Sequence, residues 1–123
     1  MTACRPLRLL VADDDPLQLR AAARMLKSLG HSGALANHGA AALALLERQA
    51  FDVVLLDLRM PVLDGLETLG RIRRNDSRLP VVLVSGDDLN SKWDFYQRAG
   101  ASACLLKPMA QDALQQVLSR WSR

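Results

Sequence analysis

The chain predicts a doubly wound α/β domain, a (βα)5 unit with one five-stranded parallel sheet and helices on both faces. Three observations carry that prediction. Five short apolar runs recur along the 123 residues, and they are continuous rather than alternating, as expected of strands covered on both faces. Between them lie segments whose apolar residues repeat at helical spacing. The strict strand-helix alternation requires crossover connections, which join parallel strands and are almost always right-handed.

In chain order, the first strand is predicted at residues 7–12 (LRLLVA) and the first helix at 16–28, begun by Asp-Pro and stopped by the glycine of LGH. Its apolar positions are Leu17, Leu19, Ala23, Leu26 and Leu29. The second strand is GALA (33–36), followed by a helix at 39–49; the third is DVVLLD (52–57), followed by a helix at 64–74. In that helix Leu66, Leu69 and Ile72 form the buried stripe, while Glu67, Arg71 and Arg74 face water. The fourth strand is PVVLVS (80–85) with a helix at 89–99, whose buried stripe is Leu89, Tyr96 and Ala99. The fifth strand is ACLLK (103–107), with a last helix at 109–121.

Composition narrows the function. Half the residues are hydrophobic and 24% are charged, which suits one domain with a buried core, so residues 1–123 are expected to form a single unit with a short tail at 1–5. No apolar run reaches the roughly 20 residues that cross a bilayer, and acids follow the N-terminus too soon for a secretory signal, so a cytoplasmic location is expected. Cys4 and Cys104 lack CxxC spacing, and His31 and His38 flank a short strand, so packed thiols and loop histidines are expected rather than a zinc or redox site. The net charge of +3 is spread along the chain, with small clusters RIRR and SRWSR on helix faces and ends, and direct nucleic-acid binding is not expected.

In a sheet of this kind, ligands sit beyond the carboxyl ends of the strands. Those ends hold Asp13, Asp14 and Asp15 after the first strand, Asp57 after the third, Ser85 after the fourth and Lys107 after the fifth. Taken singly, DDDP could be a helix cap, Asp57 a loop acid and Lys107-Pro108 an ordinary helix approach. Together they fall on one edge. Two carboxylates ~4 Å apart repel by roughly 4 kcal/mol at an effective dielectric near 20, so Lys107 and a hard divalent cation such as Mg2+ are the expected compensation. A carboxylate in that setting can act as a nucleophile toward phosphorus, with Lys107 and Ser85 steadying the transferred oxygens.

These motifs resemble the receiver domains of bacterial two-component response regulators, with a flavodoxin-like fold. LLVADDDP is similar to the first-strand acidic motif, DVVLLDLRMPVLDGLE to the phosphoacceptor motif, PVVLVSG to the fourth-strand hydroxyl motif and AGASACLLKPM to the fifth-strand lysine motif. The resemblance implies that Asp57 accepts a phosphoryl group from a phosphohistidine of a histidine kinase or phosphotransfer protein. It implies that Asp14, Asp57 and the backbone carbonyl of Arg59 hold Mg2+, with Asp13 acting through water. Lys107 and Ser85 would pair with the phosphate, and Asp15 is not carried over as a ligand. The product would be a signalling switch acting on a downstream protein, either stand-alone or in a phosphorelay; KPM and VLSRW resemble receivers of hybrid kinases and phosphorelays.

Two departures stand out. Ser85 replaces the common threonine, and Cys104 occupies a position usually held by Tyr or Phe, whose inward swing a cysteine cannot make. The aromatics of KWDFYQRAG are expected either to cover the sheet or, at Trp93 or Phe95, to mark a partner or dimer surface. Arg59 and Asp87, each two residues beyond a key strand end, are expected to face each other across the pocket mouth. The alternative is a phosphohydrolase of the haloacid dehalogenase type, disfavoured by the proline after DDD and by the lack of a cap insertion. A nucleotide-binding reading is weaker, since neither GxGxxG nor GxxxxGK[ST] occurs.

Overall fold

The computed structural model describes residues 5–60, 63–86 and 89–122, with backbone alone considered at 89 and 90. Five strands alternate with five helices: β1 (Arg8–Ala12), α1 (Pro16–Ser28), β2 (Ser32–Ala36), α2 (Gly39–Arg48), β3 (Val53–Asp57), α3 (Gly65–Asn75), β4 (Val81–Ser85), α4 (Leu89–Arg98), β5 (Ala103–Leu106) and α5 (Gln111–Leu118). The sheet is parallel throughout, in the order β2-β1-β3-β4-β5. This is the predicted doubly wound, flavodoxin-like topology, and the strand order reverses between β1 and β3, where a crevice opens.

Period-2 alternation along the strands divides the core. Leu9, Val11, Val53, Leu55, Val82 and Val84 meet Leu19, Ala22 and Leu26 of α1 and Leu114 and Leu118 of α5. Leu10, Val54, Leu56 and Leu83 meet Ala42 of α2, Leu69 and Ile72 of α3 and Tyr96 of α4. Burial on both faces holds for β3 and β4, every residue of which is buried, but not for β2, an edge strand whose only fully buried residue is Ala36. Its continuous apolar run reflects small residues at an edge rather than two covered faces.

Local chemistry sets the helix starts. Asp15 caps α1, its side chain accepting from Leu17 N at 2.9 Å, with Pro16 in the first turn where the missing N–H costs nothing. Asp64 caps α3 by accepting from Glu67 N at 2.8 Å. His38 caps α2, its Nδ1 accepting from Ala41 N at 3.0 Å, and His31 Nδ1 accepts from Leu7 N at 2.9 Å. Both histidines therefore serve the backbone. At the far end of α1, Gly30 takes φ +86°, the left-handed conformation that glycine adopts without a Cβ penalty.

The helix faces depart from prediction at three places. Leu17 is 73% exposed, and Ala22, not Ala23, faces the sheet, because the buried arc of α1 is centred on Leu19 and Leu26. Ala99 is exposed at the end of α4, beyond the turn that buries Tyr96. The helix α5 spans only Gln111–Leu118, with residues 119–121 in turn conformation. Among the described residues, no helix is long and apolar enough to cross a membrane.

Candidate functional site

The register of the sheet assembles the site. Ala12 pairs with Leu56, so the next residues on those strands, Asp13 and Asp57, emerge side by side at the crevice. Asp57 pairs with Val84, and Ser85 pairs with Leu106, so Ser85 and Lys107 follow one step further on. Alternation then turns Asp57 to the same face as Val53 and Leu55, toward α1.

Asp57 is 2% exposed and Asp13 7%, whereas Asp14 is exposed. Lys107 Nζ lies 3.0 Å from Asp57 Oδ2 and 3.6 Å from Asp13 Oδ2, bridging the two buried carboxylates. The other oxygen of each is engaged by backbone: Asp57 Oδ1 accepts from Arg59 N at 3.1 Å, and Asp13 Oδ1 accepts from Asp15 N at 3.0 Å. The Lys107 amide donates to the carbonyl of Ser85 at 2.9 Å, and the Lys107-Pro108 peptide is cis. Ser85 is 1% exposed.

The run of three aspartates is thus divided in its work. Asp15 turns back to cap α1, while Asp13 and Asp14 join Asp57, and one carboxylate oxygen from each of the three lies within 4.8 Å of the others. Burial, and less strongly the neighbouring Asp57 charge, pushes the Asp13 carboxyl up to about 6 against the opposing pull of the Asp15 amide and Lys107. One ammonium does not balance three acids. The donors are hard oxygens, with no cysteine or histidine in the group, which fits a divalent cation of the Mg2+ type.

Of the remaining expected residues, Arg59 is tied to Asp57 through its amide, but Asp87 lies outside the described residues, as does Cys4. Trp93 and Cys104 are partly buried against the core cluster that includes Tyr96, while Phe95 is 60% exposed and meets Tyr96 edge-on at 5.7 Å. Burial raises the thiol pKa of Cys104, which disfavours the reactive thiolate.

Gly65 is a site residue that sequence reasoning did not single out. A Cβ there would stand 2.5 Å from the Asp57 carbonyl oxygen and 2.6 Å from Leu58 Cα, so only glycine lets α3 start against the end of β3. Its Asp-Gly setting, directly after a predicted strand and loop, was the available signal.

The family profile described as "Response regulator receiver domain" matches residues 9–119. The chain belongs to that family. A receiver domain is a phosphoacceptor regulatory module, and this one carries the acidic group Asp13, Asp14 and Asp57 with Lys107 beside it. It is 40% identical over 113 residues to the sensor histidine kinase RcsC of Salmonella typhi, covering 92% of this chain but 12% of that protein. The receiver domain of the sensor histidine kinase PA1611 from Pseudomonas aeruginosa PAO1, solved with a magnesium ion in its active-site cleft, superposes with a TM-score of 0.85 at 33% identity, covering 94% of this chain and 97% of that one. The chemotaxis protein CheY4 of Vibrio cholerae gives a TM-score of 0.87 at 25% identity, covering 94% and 98%. Membership of the receiver family sets aside the phosphohydrolase alternative.

Proposed function

We propose that the receiver domain accepts a phosphoryl group on Asp57 from a phosphohistidine of a histidine kinase or histidine phosphotransfer protein. The observation that supports it most directly is the placing of a 2%-exposed Asp57 carboxylate level with Asp13 and 3.0 Å from the Lys107 ammonium. In the transfer, an Asp57 oxygen bonds to phosphorus as the phosphorus–nitrogen bond of the donor breaks, and the released imidazole nitrogen keeps the electron pair. Lys107 and the Ser85 hydroxyl meet the phosphoryl oxygens, and Asp14, Asp57 and the Arg59 carbonyl would hold Mg2+, with Asp13 contributing through water. When bound, Mg2+ neutralises charge on the transferring group.

The phosphoprotein then acts by population shift, in the loops after β3 and β4 and in α4, on a downstream protein or on a second copy of itself. Phe95, the exposed aromatic of α4, is the residue of that helix placed to meet a partner. The chain spans only 12% of the length of RcsC, the curated relative named above, so action alone, in a phosphorelay and within a larger kinase are all compatible with this reading.

The test is stoichiometric labelling by a small phosphodonor with Mg2+, expected for the unaltered protein and absent in Asp57→Asn. Labelling that survives in Asp57→Asn, or multiple turnover of a generic phosphatase substrate, sinks the reading. Rapid back-transfer to a phosphotransfer protein would place the domain in a relay.

A further inference from the structure

Asp13, Asp57 and Lys107 also line one side of a cleft of about 200 Å3, whose other lining residues come from the sheet, α1 and the β5–α5 connection. Its floor is formed by Val11, Leu55 and Val84, same-face residues of three adjacent strands. On the helix side α1 lines it with Gln18, Ala21, Ala22 and Met25, the two alanines leaving room between the longer side chains. Partly buried Met109 and exposed Pro108 complete the lining, and Gln18 and Ala21 are the exposed residues of its helix side. An apolar cavity of about 150 Å3 is enough to take up benzene.

The lining residues with polar side chains are Asp13, Asp57, Lys107 and Gln18, of which the first three are charged. With Asp14 close by, three carboxylates face one ammonium, so the rim favours a cation and disfavours an anion. We propose that the cleft between α1 and the β5–α5 connection is a second ligand site for a small amphipathic organic cation, a one-ring or short-chain amine. Its apolar body fills the cavity, and its ammonium meets Asp57 and Asp13 in place of the metal. Occupation by the amine and by Mg2+ is therefore mutually exclusive, a consequence that rests on the reading of these carboxylates as the metal site. Such a ligand would hold the receiver in a form unable to accept phosphate.

The experiment uses protein labelled with 13C at the methionine methyls, freed of metal with a chelator and titrated with benzylammonium. Met25 and Met109 resonances are expected to shift saturably, while Met60, packed on the opposite face of the sheet, stays still. Benzyl alcohol and benzoate, with the same body but no charge or the opposite one, should bind roughly tenfold more weakly or worse, the weight of one charge-assisted hydrogen bond. Mg2+ should reverse the shifts, and Ala21→Leu, which adds bulk at an exposed helix position that lines the cleft, should prevent them. Absence of saturable shifts, equal binding of the three probes, persistence under saturating Mg2+, or indifference to Ala21→Leu overturns the proposal. Mg2+ binding and Asp57-dependent labelling are read on the same protein, so a failure of the amine to bind with those two intact overturns the cleft alone.

Discussion

The three aspartates 13 to 15 show how neighbouring identical residues acquire different tasks. Asp15 spends its carboxylate on Leu17 N, and its own amide on Asp13, so its link to the site is through backbone. Asp15→Ala is therefore expected to cost about 0.5–2 kcal/mol of stability, the usual loss for a missing N-cap, while the backbone amide still bonds Asp13. Thermal unfolding and phosphodonor labelling of the same preparation check this, and loss of labelling in a folded variant would move Asp15 into the site. Gly65 makes the opposite case, a residue without a side chain on which the site depends. Gly65→Ala forces its Cβ against the Asp57 carbonyl and Leu58 Cα, both backbone and unable to swing aside. It should destabilise by about 1–3 kcal/mol, as overpacking does. A denaturant midpoint unchanged from the parent would show that the β3–α3 junction has slack. Sequence alone could place DDDP at a strand end but could not divide its labour, since capping and metal binding ask for the same side chain.

At the scale of elements, the least legible parts were those held by tertiary contacts with no local signature. Arg73 is one: it stands in a basic cluster, RIRR, that reads as a solvated helix face. Instead its Nε and Nη2 both donate to the Gly100 carbonyl, at 2.9 and 2.7 Å, and its Nη1 donates to the carbonyls of Leu79 and Asp76, at 2.6 and 3.1 Å. One guanidinium thus ties the end of α3 to the α3–β4 and α4–β5 connections, and its planar fork makes arginine, not lysine, the residue suited to this. Gly100, at φ +115°, leaves room for it, since a Cβ there would fall 2.8 Å from Arg73 Cγ. Arg73→Met should cost roughly 1.5–3 kcal/mol, the worth of hydrogen bonds to a charged group. Hydrogen exchange should quicken at Gly100 and Ser102 more than in the central strand β3, and uniform quickening would refute the clamp. Strand positions, by contrast, were predicted to within one residue at each end, because apolar runs bounded by acids, glycine and proline mark them directly. α5 was overextended by two residues at its start and three at its end, as no side chain caps its first turn and its apolar spacing continues to Trp121, which packs on the core from a turn.

For the whole molecule, alternation alone dictated the parallel sheet, and the sheet dictated that Asp13, Asp57, Ser85 and Lys107 share an edge. What the sequence could not supply was the electrostatic state of that edge, which depends on burial. In the metal-free protein the Asp13 carboxyl is raised to about 6 from an ordinary 3.8, chiefly by desolvation. Between those two values the folded chain holds a proton that the unfolded chain has released. Stability from this group therefore falls as pH rises through that window and is recovered on acidification, the reverse of a salt-bridged carboxylate. A cation held beside Asp13 favours its charged form and so opposes its protonation. Mg2+ should accordingly raise the midpoint of thermal unfolding strongly at pH 7 and much less at pH 5, where Asp13 is largely protonated. In Asp13→Asn the dependence on pH across that interval should flatten relative to the parent, and the gain from Mg2+ should vary less between pH 5 and pH 7. A stabilisation by Mg2+ as large at pH 5 as at pH 7 in the parent would mean that Asp13 does not share its charge with the metal, and that Asp14 and Asp57 hold it without help.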